Sequence, residues 1–166
     1  MTMTDSDNTT DMVVIERRFD APVALVWRMW TDPRHFAAWY GPVGAEITVS
    51  TMDVRVGGTR LVGMAMPNGP GRMWFTGQYR EIVEHELLVY TESVCDENGQ
   101  VLTPADIGMP IDYPVTTEVR VQLEDIGGRT LMVMTHTGIP ADSPGATGWT
   151  MALDKLAGYV ESRLAH

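Results

Sequence analysis

Between positions 143 and 166 the chain reads SPGATGWTMALDKLAGYVESRLAH, with Trp149, Leu153, Leu156, Val160 and Leu164 recurring at steps of three and four. That spacing predicts one long C-terminal helix with a single apolar stripe. Asp154, Lys155, Glu161 and Ser162 fall on the opposite side. Ser143 suits the cap, and Pro144 suits the first helical position, where a missing N–H costs nothing. Such a helix spans about 30 Å, the width of a small domain. It cannot leave its Trp and Leu side in water, so something upstream must present a broad apolar surface. Gly148 and Gly158 weaken the helix intrinsically, so packing rather than propensity must hold it.

Upstream, the dominant period is two, the signature of strands. Residues 12–19 read as a first strand with Val13, Ile15, Arg17 and Phe19 on one face. A helix follows, capped by Asp20 or Ala21 and opened by Pro22, with Val23, Val26, Trp27 and Trp30 on one side. Asp32-Pro33 launches a second short helix carrying Phe36 and Trp39, which Gly41-Pro42 stops. Strands are then expected over 45–53, 59–66, 72–84 and 86–94, and a last hairpin over 115–124 and 130–137. Short turns join consecutive strands, so the sheet should be antiparallel and the class α+β. Residues 96–114 form a long break with three prolines, the kind of loop that is usually functional.

The charge balance narrows the partners. Twelve basic residues against 22 acidic give a net charge of −10. Nucleic acid and anionic membrane surfaces select basic patches, so neither is expected as a partner. Cys95 is the only cysteine, which rules out an internal disulfide and fits a reducing compartment. Residues 1–11 are polar, lack the features of a secretory signal, and are expected to be a disordered tail before a single domain at 12–166. No apolar run approaches a membrane span. A cytoplasmic protein is the expectation. His35, His85, His136 and His166 are scattered without metal-ligand spacing, and no glycine pair heads a helix as a phosphate loop must, so no metal and no cofactor are expected.

Seven stretches, RRFDAPVALVW, WTDPRHFAAWYGP, DVRVGG, GQYREI, LLVYT, GGRTLMVMTHTG and GWTMALDKLAGYV, stand in an order and spacing that resembles the START-like (SRPBCC, birch-pollen-allergen-like) superfamily. Within it, the chain is similar to the activator of Hsp-90 ATPase homologue-like group. The resemblance covers residues 13–164. It implies the helix-grip fold: a curved antiparallel sheet of six to seven strands wrapped around the long C-terminal helix, with two short helices between strands 1 and 2.

The family pattern places Met132, Met134 and His136 inward, and with them Leu88, Tyr90, Glu92, Phe75, Tyr79, Arg60, Val62, Met64 and Met66. The four methionines then face either a packed core or an adaptable apolar hollow. Trp39 is expected at the rim of that hollow, with Trp149 opposite and Leu153 and Leu156 on the helix above. Glu92 and Arg60 stand where the family often has aromatic residues. With Tyr79, Tyr90 and His136 they are either a ligand clamp or an acid–base set, for which Glu92, His136 and Arg60 are the catalytic candidates, or else an internal Arg60–Glu92 ion pair. His136 by itself reads equally well as a satisfied core histidine.

Three functions follow from these residues and the resemblance. The first is a module binding a small hydrophobic or aromatic molecule, with 96–114 as a lid. The second is an enzyme of the polyketide cyclase, dehydratase or hydrolase kind using the same cavity. The third, suggested by the family name, is a chaperone ATPase-regulating interaction protein. Heat-shock ATPase activators carry a further N-terminal domain and only eleven polar residues precede the fold here, which weighs against a chaperone partner. A homodimer is compatible with the sequence.

Overall fold

The computed structural model describes residues 11–69, 71–111 and 113–164. Residues 1–10, where the disordered tail is expected, and residues 165–166, to which the predicted helix extends, lie outside the described residues. Strand β1 (Met12–Phe19) leads into helices α1 (Val23–Thr31) and α2 (Pro33–Trp39). Strands β2 (Glu46–Met52), β3 (Thr59–Ala65), β4 (Arg72–Val83), β5 (Leu87–Cys95), β6 (Thr117–Asp125) and β7 (Thr130–Thr137) follow, and helix α3 (Pro144–Leu164) closes the chain. The sheet order is β1-β7-β6-β5-β4-β3-β2. Every neighbouring pair is antiparallel. Seven strands against one long helix, with α1 and α2 between β1 and β2, is the helix-grip architecture.

The period-two pattern does what the steric logic of a strand requires. On β7 Thr130, Met132, Met134 and His136 are buried and alternate with half-buried neighbours. On β6 Val119, Val121 and Leu123 point the same way. The stripe of α3 meets them: Trp149, Ala152, Leu153, Leu156 and Val160 are buried, while Leu164, at the frayed end, is 47% exposed. Ser143 caps α3 by accepting the Ala146 N–H on its carbonyl (3.0 Å) and side-chain oxygen (3.4 Å), and Pro144 is the first helical residue. At α1 the proline shifts by one position. Pro22 is the cap, in an extended conformation, and Val23 opens the helix, because the Pro22 carbonyl accepts from Leu25 and Val26.

The long 96–114 segment folds back on the end of β5. Leu102 donates to the Val94 carbonyl, Val101 bridges to Cys95, and a single 3-10 turn spans Ala105–Ile107. No helix among the described residues is long and apolar enough to cross a membrane.

Candidate functional site

The first turns of α3 carry glycine at positions 145 and 148, three apart and so on one side of the helix. Beneath them a pocket of about 230 Å³ opens between α3, the segment after α2, and the inner face of the sheet. Tyr40, Gly41 and Pro42 form one wall, Met64 and Phe75 another, and Glu92 and His136 the floor, with Trp149 and Ala152 opposite. A Cβ added to Gly148 would meet nothing within 4 Å, so the pocket is open beside that residue. Lys155 holds the Tyr40–Pro42 wall by donating to the Tyr40 and Pro42 carbonyls at 3.3 and 3.2 Å.

His136 is fixed by its partners. The Trp149 indole N–H can only donate, and it reaches Nδ1 at 2.8 Å, so Nδ1 accepts. The imidazole proton therefore sits on Nε2, which donates to the Thr117 hydroxyl at 2.8 Å, and Thr117 in turn donates to the Glu92 carbonyl at 3.2 Å. Burial lowers the His136 pKa below its ordinary value and the nearby Glu92 carboxylate only partly opposes this. Both nitrogens are engaged, so this histidine has no free lone pair with which to take a substrate proton.

A pH dependence follows. A histidine whose folded pKa is depressed stabilises the fold at pH values above its unfolded pKa, and the stability is lost as protons bind preferentially to the unfolded chain. Urea unfolding midpoints are expected to hold steady above about pH 6.5 and to fall as the pH drops below it. His136→Asn is expected to flatten that part of the profile. An imidazole found protonated in the native protein at pH 6 by NMR would contradict the hydrogen-bond assignment.

Glu92 is 8% exposed and accepts the Tyr40 hydroxyl proton at 3.1 Å. Its other oxygen lies 3.9 Å from His136 Nε2. Burial, and then Glu92, push the Tyr40 pKa well above the ordinary phenol value, so Tyr40 stays a donor. Arg60, 2% exposed, lies deeper. Its guanidinium stacks 3.7 Å from the Tyr90 ring centre, with Phe36 at 5.2 Å and Tyr79 at 5.7 Å. Burial works against its charge, and the surrounding Tyr90, Tyr79 and Glu92 outweigh that effect. Among the described residues no carboxylate comes within 4.0 Å of it, so the direct Arg60–Glu92 ion pair does not form. Arg60 Nε and the Tyr79 and Tyr90 hydroxyls are buried without hydrogen-bond partners among the described residues.

Of the expected cavity residues, Met64, Phe75, Glu92, His136 and Trp149 stand on the pocket wall. Arg60, Val62, Tyr79, Leu88, Tyr90, Met132, Met134, Leu153 and Leu156 face inward but are buried in solid packing off that wall. The methionines on β7 are therefore core, fully buried in the same cluster as Leu153 and Leu156. Trp39 is not at the rim. It is fully buried, its N–H donates to the Met29 carbonyl at 3.0 Å, and its ring meets Trp30 edge-on at 4.8 Å. The rim position belongs to Tyr40, one residue on, because α2 ends at Trp39 and the chain turns there. Met66 lies beyond the end of β3, is 39% exposed, and lines a separate groove of about 680 Å³ with Met73, Leu102 and Ile107. The 96–114 loop borders that groove and not the pocket, so it is no lid. Pro42 and Met64 line both spaces. A third hollow, of about 460 Å³, is lined by side chains of β5, β6 and β7 such as Leu87, Arg120 and Val133. Neither of the larger spaces has the buried carboxylate and histidine that the smaller one has. Among the described residues, no cluster of His, Cys, Asp or Glu could hold a metal ion.

The fold has many solved counterparts. A crystal structure of a protein from Chromobacterium violaceum is 25% identical and superposes with a TM-score of 0.75 over 91% of this chain and 97% of that one. A solution structure of an Arthrobacter aurescens protein is 24% identical, with a TM-score of 0.75 over 93% of this chain and 92% of that one. CalU16 from Micromonospora echinospora is 23% identical, with a TM-score of 0.59 over 94% and 80% of the two chains. No curated protein matches the sequence. The sequence model described as activator of Hsp90 ATPase homolog 1-like protein matches residues 20–161. That span runs from the turn after β1 into the last turn of α3 and takes in the whole pocket wall. The chain accordingly belongs to the activator of Hsp90 ATPase homolog 1-like family, a START-like domain of the ligand-binding kind.

Proposed function

We propose that this protein binds a small, largely apolar molecule in the pocket beneath the glycine-bearing turns of α3. The observation that carries this reading is the makeup of that pocket. Aromatic and aliphatic side chains surround a carboxylate that is fixed by a tyrosine, and the helix above is left bare at Gly148. Sites for small molecules are typically apolar enclosures with a few placed polar groups. A pocket of 230 Å³ is somewhat larger than the roughly 150 Å³ cavity that holds benzene, so the guest is about one ring with a short substituent. The proton-transfer alternative lacks support because His136 has both nitrogens occupied and Arg60 does not reach the wall.

Titration with toluene, phenol and indole, followed by amide and indole NMR shifts, tests the reading. The shifts are expected to gather at Tyr40, Glu92, His136 and the Trp149 indole N–H. Shifts confined to the Met66–Met73 groove, or none at all, would defeat it.

Glycine within a helix destabilises it by roughly 0.5–1 kcal/mol relative to alanine. Gly148→Leu is therefore expected to raise helix stability by up to about 1 kcal/mol while filling the pocket and weakening guest binding by more than about tenfold. Gly158, exposed further along α3, provides the control: Gly158→Ala should bring a similar gain and leave binding unchanged. Equal binding by the Gly148→Leu protein would place the guest elsewhere.

A further inference from the structure

Hydrogen-bond accounting on the pocket wall narrows the class of guest. Of the polar side chains there, His136 is engaged at both nitrogens. The Tyr40 hydroxyl has committed its proton to Glu92. One Glu92 oxygen accepts that proton. The other has as its nearest described basic group His136 Nε2, at 3.9 Å, whose proton is directed to Thr117. The free side-chain capacity on the wall is therefore acceptor capacity, and its charged part lies at Glu92. A carboxylate accepts and does not donate. The guest that matches Glu92 supplies an O–H or N–H, while a guest carboxylate would meet a like charge there with no side-chain donor to spare.

The charge behind Glu92 decides between a neutral and a cationic donor. Arg60 on β3 lies opposite Gly77 on β4. The register that pairs Thr76 with Ser93 and Tyr79 with Tyr90 sets Gly77 opposite Glu92 on β5. The buried guanidinium shares the interior with Glu92 and is within reach of its field. A fixed positive charge thus stands behind Glu92. An ammonium group would add an uncompensated positive charge to a desolvated site, which is costly. We infer that the pocket selects a small aromatic molecule carrying a neutral hydrogen-bond donor, a phenol-type hydroxyl above all, which bonds to Glu92, with Arg60 as the residue that tunes this preference. This inference rests on the pocket being the binding site.

A four-member panel of single-ring molecules tests it: toluene, phenol, benzoate and benzylamine, each titrated against the wild-type protein by NMR or calorimetry. Phenol is expected to bind at least about tenfold more tightly than each of the others, as a hydrogen bond to a buried charged group commonly provides. Glu92→Gln replaces an acceptor by an amide that can donate, and leaves Arg60 unbalanced. That variant is expected to bind benzoate at least about tenfold more tightly than wild type and to lose the preference for phenol. Toluene binding as well as phenol would overturn the inference and leave the pocket assignment standing, and benzylamine binding best would overturn the charge-balance argument. If no member binds, the pocket assignment itself falls. An unchanged ranking in Glu92→Gln, confirmed folded by circular dichroism, would remove Glu92 from the recognition.

Discussion

Gly77→Ala is expected to lower the unfolding free energy by about 3 kcal/mol, the upper end of what overpacking usually costs. The reason is geometric. A Cβ at position 77 would sit 1.8 Å from the Thr91 carbonyl oxygen and 2.6 Å from its carbonyl carbon. Both are backbone atoms of the adjacent central strand, and neither can turn aside as a flexible side chain would. Relief requires β4 and β5 to separate, which disturbs the Gln78 N–H bond to the Thr91 hydroxyl at 3.0 Å. Chemical denaturation of the variant measures the loss directly. A change under about 1 kcal/mol would mean that the two strands yield there and that the close approach is not a constraint. The same position matters for the site. Arg60 reaches the Tyr90 ring from β3, two strands away, and Gly77 is its pairing partner on the strand between. Gly77→Ala should therefore disturb guest selectivity along with stability.

The sequence shows some of this and hides the rest for identifiable reasons. Period-two runs and the three-and-four spacing of Trp149, Leu153, Leu156 and Val160 locate the strands, the long helix and the side of each that is buried. Periodicity reports a direction, however, and not what lies at the end of it. Met132, Met134 and Met64 share one inward face, yet the first two are buried in the core with Leu153 and Leu156 and the third stands on the pocket wall. Part of the difference lies at Gly148, beside which the space is open and which shows in the sequence only as a weak point in a helix. No apolar pattern registers a residue without a side chain. Trp39 and Tyr40 illustrate a second limit. Both are aromatic, both precede Gly41-Pro42, and which one faces the pocket depends on where α2 stops. Their hydrogen bonds record the outcome, with Trp39 tied to the Met29 carbonyl and Tyr40 to Glu92. Glu92 and Arg60 stand out as charged residues at inward positions of central strands. That signal is legible, because burying charge is too costly to be incidental. Their separation beyond ion-pair distance is not legible, since it depends on Arg60 turning onto the Tyr90 ring.

That separation sets up the second large effect, a coupling between two buried charges that do not touch. Coulomb's law at an effective dielectric of about 20 gives roughly 4 kcal/mol for unit charges 4 Å apart, falling to between 2 and 3 at about 6 Å. Arg60 and Glu92 lie beyond the first of these distances and share a desolvated interior, so a coupling energy of about 2–3 kcal/mol is expected from a double-mutant cycle. Arg60→Met alone should destabilise the protein by about 3 kcal/mol or more, because it leaves Glu92 buried with a tyrosine donor and a neutral histidine but no balancing cation. It also gives up the cation–π contact with Tyr90, worth roughly 2 kcal/mol when desolvated. Some of this is offset, because methionine has no charge to desolvate and no Nε left without a partner. Glu92→Gln alone should cost less, since the amide still accepts from Tyr40. Combining the two removes both charges together, and the double variant should recover most of the coupling and be more stable than Arg60→Met. Strict additivity, with a coupling under about 0.5 kcal/mol, would show that the guanidinium does not balance Glu92. Selection for a neutral guest would then need a different cause. An Arg60→Met protein more stable than wild type would go further. It would mean that the cost of burying an unpaired guanidinium exceeds all it returns to the fold, and that Arg60 is kept for what it does to the occupant of the pocket.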